Sequence, residues 1–208
     1  MLTPSFDLYL VTDRTQTRGR DLLWVLQESL EGGVNAVQLR EKDLGGKELL
    51  DLAEKIRRLC ERYKAPLFIN DRIDVALAVD AAGVQLGKTS LPIETARALL
   101  GPEKWIGQSI HSLEEVPEAE ERGADFIVFG PVYFTPSKAR FGAPQGFAAL
   151  KKIVEVSTLP VYAIGGIAAK NTMEVREAGA RGIALIAGVI AAENPKGAAA
   201  AMVRLLRE

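Results

Sequence analysis

The feature that most constrains the fold of this sequence is a regular alternation. Short apolar or β-branched runs alternate with longer stretches of helical spacing, eight times in succession. The short runs predict strands at 7–12, 36–39, 66–69, 83–86, 105–108, 126–129, 161–164 and 183–186. The longer stretches predict helices at 18–31, 46–63, 72–78, 92–100, 112–122, 147–156, 169–178 and 196–207. Ser112 and Glu115 have the S-x-x-E spacing of a capping box at the start of the fifth helix.

Such an alternation predicts a parallel sheet, because consecutive parallel strands need a crossover connection. The strands are apolar on both faces, which is typical of a sheet covered by helices. The sheet is either open and doubly wound or closed into a barrel, and the count of eight favours closure. We therefore predict an α/β fold, a single-domain (β/α)8 TIM barrel that spans residues 1–208.

Composition excludes several classes of function. With 26 Lys and Arg against 27 Asp and Glu, the chain has no general attraction for nucleic acid or an anionic membrane. No apolar run approaches the ~20 residues of a membrane span, and the start of the chain does not have the layout of a signal peptide. A single cysteine, Cys60, and a single histidine exclude an internal disulfide and a structural zinc site. We expect a cytoplasmic protein.

Polar residues follow nearly every predicted strand, at the face where such barrels carry their chemistry. Gly165 and Gly166 follow strand seven, and Ala187 and Gly188 follow strand eight. Loops after these two strands commonly form a phosphate site from backbone N–H groups, so we predict one here. The alternative is that the glycines only form turns.

Arg40, Lys42 and Lys138 form a second positive group after strands two and six. Such a cluster suits a diphosphate or another polyanion, and the alternative is a set of solvated surface charges. Asp71, beside Asn70, could hold Mg²⁺ against phosphate oxygens, or it could simply cap a helix.

His111 follows strand five and is the one imidazole in the chain. Its ordinary pKa of about 6.5 suits proton transfer near neutrality, so it is the candidate catalytic residue. The alternative is a structural contact beside a helix start.

Seven motifs give this chain a resemblance to a known family. They are LYLVTD at 8–13, VQLREK at 37–42, INDRIDVA at 69–76, GVQLG at 83–87, SIHSLEE at 109–115, GPVY at 130–133 and AIGGI at 163–167. Together they resemble the thiamine-phosphate synthase superfamily, which also contains the TenI-type thiazole tautomerases. The resemblance covers almost the whole chain and implies a (β/α)8 barrel.

In the synthase, a pyrimidine pyrophosphate loses pyrophosphate and is attacked by the nitrogen of a thiazole phosphate. The resemblance implies that the leaving pyrophosphate is held by Arg40, Lys42, Asn70, Ser109 and Lys138. Asp71 matches one of two aspartates that bind Mg²⁺, and Gln38 matches a contact to the pyrimidine. The remaining matches are Thr135 and Ser137 in a loop over the site, and Gly166 and Gly188 at the thiazole phosphate.

Ser90 stands where the family has its second metal-binding aspartate. A hydroxyl is a weaker Mg²⁺ ligand than a carboxylate, and the SIHSLEE run also resembles the tautomerase branch. The leading expectation is therefore a TenI-type tautomerase, an isomerase that aromatises carboxythiazole phosphate with His111 as acid and base and without a cofactor. The alternative is the synthase, a transferase that needs Mg²⁺.

Two further alternatives stay open, an inactive relative that only binds its ligand and an unrelated isomerase or epimerase of sugar phosphates. The expected partners are a phosphorylated thiazole and, for the synthase, a pyrimidine pyrophosphate. The resemblance also implies a homo-oligomer, expected as a dimer.

Overall fold

The computed structural model describes residues 4–136 and 143–208, and within them eight parallel strands form one closed barrel. The strands are β1 Leu8–Val11, β2 Ala36–Leu39, β3 Leu67–Asn70, β4 Gly83–Leu86, β5 Trp105–Ile110, β6 Phe126–Phe129, β7 Val161–Ile164 and β8 Gly182–Leu185. The helices between them are α1 Leu22–Glu31, α2 Gly46–Arg62, α3 Ile73–Ala78, α4 Ile93–Leu100, α5 Glu115–Glu121, α6 Gly146–Val156 and α7 Ala169–Glu177. After β8 come a short helix, α8 Ala187–Ile190, and the longer α9 Pro195–Arg207.

Each strand pairs with its neighbours in sequence, and β1 closes the ring by pairing with β8 through Leu10 and Leu185. The predicted (β/α)8 barrel is confirmed. None of the helices in the described part of the chain is both long and apolar enough to cross a membrane.

Alternation along the strands separates two apolar clusters, because successive side chains in a strand point to opposite faces. Leu8 and Leu10 belong to the outer cluster, which packs the strands against the helices. Tyr9 and Val11, in the same strand, belong to the inner cluster that fills the barrel. The inner cluster contains interlocked aromatic rings near the amino ends of the strands, from Phe6, Tyr9, Phe68, Trp105, Phe126 and Tyr162.

Several element boundaries differ from the predicted ones for local reasons. Helix α1 begins at Leu22 rather than at residue 18, because Arg18 and Gly19 have positive φ angles and the Asp21 carboxylate accepts from Trp24 N. The predicted capping box at Ser112 is wrong. The Glu115 carboxylate instead accepts from the backbone N of His111 at 2.8 Å, and α5 begins at Glu115.

Candidate functional site

The carboxyl end of the barrel gathers polar side chains from neighbouring strands. Gln38 lies two residues after Ala36, and Asn70 two residues after Phe68, so both share the inward-facing alternation of those residues. Gln38 is almost fully buried, while Asn70 at the end of β3 is half-buried. The barrel interior is therefore apolar near its amino end and polar at its carboxyl end.

Asp71 lies at the centre of a hydrogen-bonded group just after β3. Its Oδ2 accepts from Asn70 Nδ2 at 2.7 Å, and Lys42 Nζ lies 3.9 Å from the same oxygen. Its Oδ1 accepts from the Ser90 hydroxyl, which in turn accepts from Gly87 N at 2.6 Å. Asp71 has a φ of +60°, a conformation that is strained for a residue with a side chain. Four predicted positions thus meet here: Lys42, Asn70, Asp71 and Ser90.

The loop that carries Arg40 and Lys42 is fastened to the loop after β1. Arg40 N donates to Thr12 Oγ1 at 2.9 Å. The buried Glu41 carboxylate accepts from the backbone N of Arg14 at 3.0 and 3.2 Å and from Arg14 Nη1 at 3.1 Å. Because neighbouring side chains of an extended segment point to opposite sides, this anchor at Glu41 favours Arg40 and Lys42 facing the other way. Sequence reasoning missed both Arg14 and Glu41.

Asp13 also faces the charge of Arg40. Partial burial alone would raise the pKa of Asp13, but hydrogen bonds from Thr15 and Gln16, together with the charge of Arg40, lower it. The carboxylate caps the 3-10 turn Arg14–Gln16. Asp13 therefore stays ionised beside the positive loop.

Gln85 on β4 is a polar residue inside the barrel that sequence reasoning did not select. It is 3% exposed, its Nε2 donates to Ser109 Oγ at 3.0 Å, and its backbone carbonyl accepts from Asp71 N at 3.1 Å. Gln85 thus connects two predicted site residues, Asp71 just after β3 and Ser109 on β5. The signal in the sequence was the alternation along β4, because Gln85 lies between Val84 and Leu86, which both belong to the outer cluster.

His111 lies at the same end of the barrel with its ring held by a backbone carbonyl. Its Nδ1 lies 2.5 Å from Gly130 O. Because a carbonyl oxygen can only accept, Nδ1 carries a proton in this contact.

Gly165 and Gly166 allow the chain after β6 to pack closely against the loop after β7. Their φ angles are +95° and +66°. A β-carbon at Gly165 would lie 2.6 Å from Pro131 Cα, and one at Gly166 would lie 2.5 Å from Phe134 O. Loop packing alone therefore explains this glycine pair, and the phosphate role stays a prediction.

Ala187 and Gly188 are the first two residues of α8, where backbone N–H groups have no partner within the helix. A β-carbon at Gly188 would lie 3.9 Å from Ile167 O, so the start of α8 adjoins the loop after β7. This short helix after β8 is the element that forms phosphate sites in many barrels.

Among the residues that the structure describes, no three His, Cys, Asp or Glu side chains group closely enough to hold a metal ion. Asp71 nevertheless suits Mg²⁺, which proteins often bind through one or two carboxylates together with substrate phosphates. A carboxylate has about four acceptor positions, and the described contacts leave some of them for a cation. Of the predicted residues in the loop after β6, Thr135 is half-buried, whereas Ser137 and Lys138 lie outside the described residues.

A family model, relatives of high identity and a solved structure point to one family. The family described as thiamine monophosphate synthase matches residues 8–189. A putative thiamine-phosphate synthase of Geobacter sulfurreducens is 50% identical over 99% of this chain and 97% of its own. The thiamine-phosphate synthase of Shouchella clausii is 44% identical over 98% of this chain and 97% of its own. The solved structure of a thiamine phosphate pyrophosphorylase from Pyrococcus furiosus superposes with a TM-score of 0.89 at 41% identity, covering 98% of this chain and 96% of that one.

These relatives overturn the leading functional prediction. The tautomerase, and with it the isomerase class, is wrong, because relatives that match the whole chain at 41–50% identity are synthases or pyrophosphorylases. The findings favour the alternative transferase. The roles assigned to individual site residues, including His111, stay predictions.

Proposed function

Because the chain belongs to the thiamine monophosphate synthase family, we propose that it is a thiamine-phosphate synthase. Its substrates are a pyrimidine methyl pyrophosphate and a thiazole phosphate, and its products are thiamine phosphate and pyrophosphate. The observation that best supports this function is the Asp71 carboxylate at the carboxyl end of the barrel. It is surrounded by Lys42, Asn70 and Ser90.

The proposed reaction breaks one bond and forms one. The bond between the pyrimidine methylene carbon and the diphosphate oxygen breaks, and its electron pair leaves with the diphosphate. The lone pair of the thiazole nitrogen then forms a bond to the methylene carbon. The protein has to stabilise negative charge that develops on the departing diphosphate, which preorganised donors and cations do effectively.

Arg40 and Lys42 supply positive charge for the departing diphosphate. Arg40 offers a planar, bidentate donor set, and Lys42 offers a mobile point charge. The Thr12 and Glu41 contacts hold the loop in place before the ligand binds, which lowers the ordering cost of binding. Asn70 and Ser109 are neutral donors for the same group, Lys138 is a further cation, and Gln38 contacts the pyrimidine.

Asp71 is the residue that would hold Mg²⁺, with the Ser90 hydroxyl beside it as a neutral neighbour. When bound, Mg²⁺ neutralises diphosphate charge and so improves the leaving group. The hydrogen bond from Asn70 Nδ2 orients the Asp71 carboxylate. The phosphate of the thiazole would lie at the loops after β7 and β8, where Gly166, Ala187 and Gly188 offer backbone N–H groups.

The test is a synthase assay with purified protein, Mg²⁺, pyrimidine pyrophosphate and thiazole phosphate, with thiamine phosphate measured by chromatography. We expect turnover that needs both substrates and is lost when EDTA removes the metal. Lys42→Ala and Asp71→Ala should each lower kcat/KM by at least about 100-fold, or roughly 2.7 kcal/mol. Lys47→Ala, an exposed lysine on α2, is the matched control for Lys42.

The proposal fails if folded wild-type protein makes no thiamine phosphate in a mixture where a relative of established activity does. Turnover that is the same in Asp71→Ala as in wild type would remove the metal role and leave the rest of the proposal intact.

A further inference from the structure

Gln85 has a hydrogen-bonding pattern that packing alone does not require. It is a buried amide on the interior face of β4, and one end of it, Nε2, donates to Ser109 Oγ at 3.0 Å. The other end, Oε1, is fully enclosed and has no hydrogen-bond partner among the residues that the structure describes. An unsatisfied buried carbonyl is destabilising, so an apolar side chain would suit the barrel interior better.

Gly107 on β5 provides the space for this amide. A β-carbon at Gly107 would lie 2.4 Å from Gln85 Oε1 and 2.3 Å from Phe126 Cζ. The amide oxygen and the Phe126 ring thus occupy the space over Gly107 that a side chain would fill, and Nε2 is directed at Ser109. The Gln85 backbone holds Asp71 N as well, so the residue braces both neighbouring strands.

The amide determines which way the Ser109 hydroxyl points. A serine hydroxyl has one hydrogen to donate and two lone pairs to accept with. Because Gln85 Nε2 occupies an acceptor position on Ser109 Oγ, the hydroxyl hydrogen stays available for a ligand above it. A phosphate oxygen can only accept, so a serine oriented in this way is prepared for an anionic ligand.

We propose that Gln85 is a positioning residue that acts through Ser109, keeping the serine hydroxyl as a donor toward the diphosphate. The inference rests on the proposed function for the identity of the ligand, and it adds a residue that never touches that ligand. Its role is to set hydrogen-bond direction at the site.

The test is calorimetric binding of inorganic pyrophosphate with MgCl₂ to wild type, Gln85→Leu, Ser109→Ala and the double variant. Ser109→Ala should weaken binding by about 10-fold, or 1.4 kcal/mol. Gln85→Leu should weaken it by about 3- to 10-fold, and the double variant should stay within two-fold of Ser109→Ala, because Gln85 acts only through the serine. Gln27→Leu on α1 is the matched control and should bind as wild type does.

Gln85→Glu provides a second, isosteric test. Its carboxylate accepts from the serine hydroxyl and takes the hydrogen away from the ligand, so pyrophosphate binding should fall below that of Gln85→Leu. Circular dichroism checks that each variant folds, and if Gln85→Leu does not fold, Gln85→Glu against Ser109→Ala forms the cycle.

Three results would overturn the proposal. They are a loss of affinity in the double variant equal to the product of the two single losses, wild-type affinity in Gln85→Glu, or no effect of Ser109→Ala. Failure of the proposed function gives a different pattern. In that case the wild type makes no thiamine phosphate, while Gln85 and Ser109 still affect pyrophosphate binding interdependently.

Discussion

Replacing Glu41 with alanine should destabilise the barrel and loosen the loop that carries Arg40 and Lys42. The Glu41 side chain is 2% exposed; its two oxygens share a bifurcated hydrogen bond from the backbone N–H of Arg14, and Oε2 also accepts from Arg14 Nη1. Removing one partner of a fully buried ion pair typically costs about 3–5 kcal/mol, whereas the Arg14 side chain is 35% exposed. Arg14 retains a bidentate contact to Asp43 at 2.6 Å, so we expect the lower end, about 3 kcal/mol.

For a chain of this length, 1 kcal/mol shifts Tm by about 2–4 °C, so Glu41→Ala should melt about 6–12 °C below wild type. Glu41→Gln keeps the shape and one carbonyl acceptor and should lose roughly half as much stability. Calorimetry gives Tm, and titration with pyrophosphate and MgCl₂ reports the state of the loop. Binding should weaken in Glu41→Ala, since Arg40 and Lys42 flank the lost anchor.

Glu54→Ala is the matched control, because Glu54 pairs with Arg58 at 3.7 Å on the exposed surface of α2. Surface pairs of this kind contribute less than about 1 kcal/mol, so its Tm should stay close to that of wild type. If Glu41→Ala and Glu54→Ala melt at the same temperature, the anchoring role of Glu41 is refuted.

Three other substitutions test separate features. Gly166→Ala should cost more than about 2 kcal/mol in urea unfolding because of its contact with Phe134 O, whereas Gly19→Ala, in open space at a φ of +77°, should cost only about 1 kcal/mol. Asp13→Ala should cost about 1 kcal/mol at pH 7, since the carboxylate caps a turn. The folded pKa of Asp13 lies below its ordinary 3.8, so this stability is complete above pH 3.8 and is lost as the pH falls through the folded pKa. Arg97→Ala should cost about 3 kcal/mol, because its guanidinium donates to three backbone carbonyls and one carboxylate.

For each of these three predictions, one result would contradict it. Equal losses of unfolding free energy in Gly166→Ala and Gly19→Ala would show that the loop after β6 moves to accommodate the added carbon. A stability difference between wild type and Asp13→Ala that is the same at pH 7 and pH 2.5 (about one unit below the ordinary carboxyl pKa) would contradict the lowered pKa. A loss in Arg97→Ala no larger than in Arg58→Ala would show that its contacts are redundant.

The fold could be predicted because it follows from periodicity, which is local information. Each strand and each helix has its own apolar pattern in the sequence, and the count of eight strands is enough to favour a closed barrel. The beginning of α1 was misplaced because it depends on the positive φ of Arg18 and the cap at Asp21, which helical spacing does not reveal. Helix α8 was missed because four residues are too few to show a period.

The position of the candidate site could be predicted, but the pairing within it could not. Residues after the strands meet at one end in any such barrel, so Asn70 and Ser109 could be selected from the sequence. That Glu41 turns away to meet Arg14, or that Gln85 reaches Ser109, depends on distances between strands that the sequence does not contain.

The tautomerase prediction is wrong because Ser90 and the SIHSLEE run do not decide between the two reactions. Ser90 lacks a carboxylate, but its hydroxyl lies against Asp71 and remains part of the same group. The identity of the whole chain to synthases outweighs a change at one ligand position.

The aromatic rings near the amino end of the barrel have a consequence for how molecules reach the interior. Phe6, Phe68, Phe126 and Tyr162 are buried in contact with one another and fill the barrel below the polar side chains. Side chains packed this way make the barrel a solid core rather than a pore. Reactants and products therefore have to use the same opening. For the proposed reaction, the thiazole phosphate has to enter either before the pyrimidine pyrophosphate binds or past it once it is bound. Pyrophosphate that has not yet departed blocks the next round of catalysis.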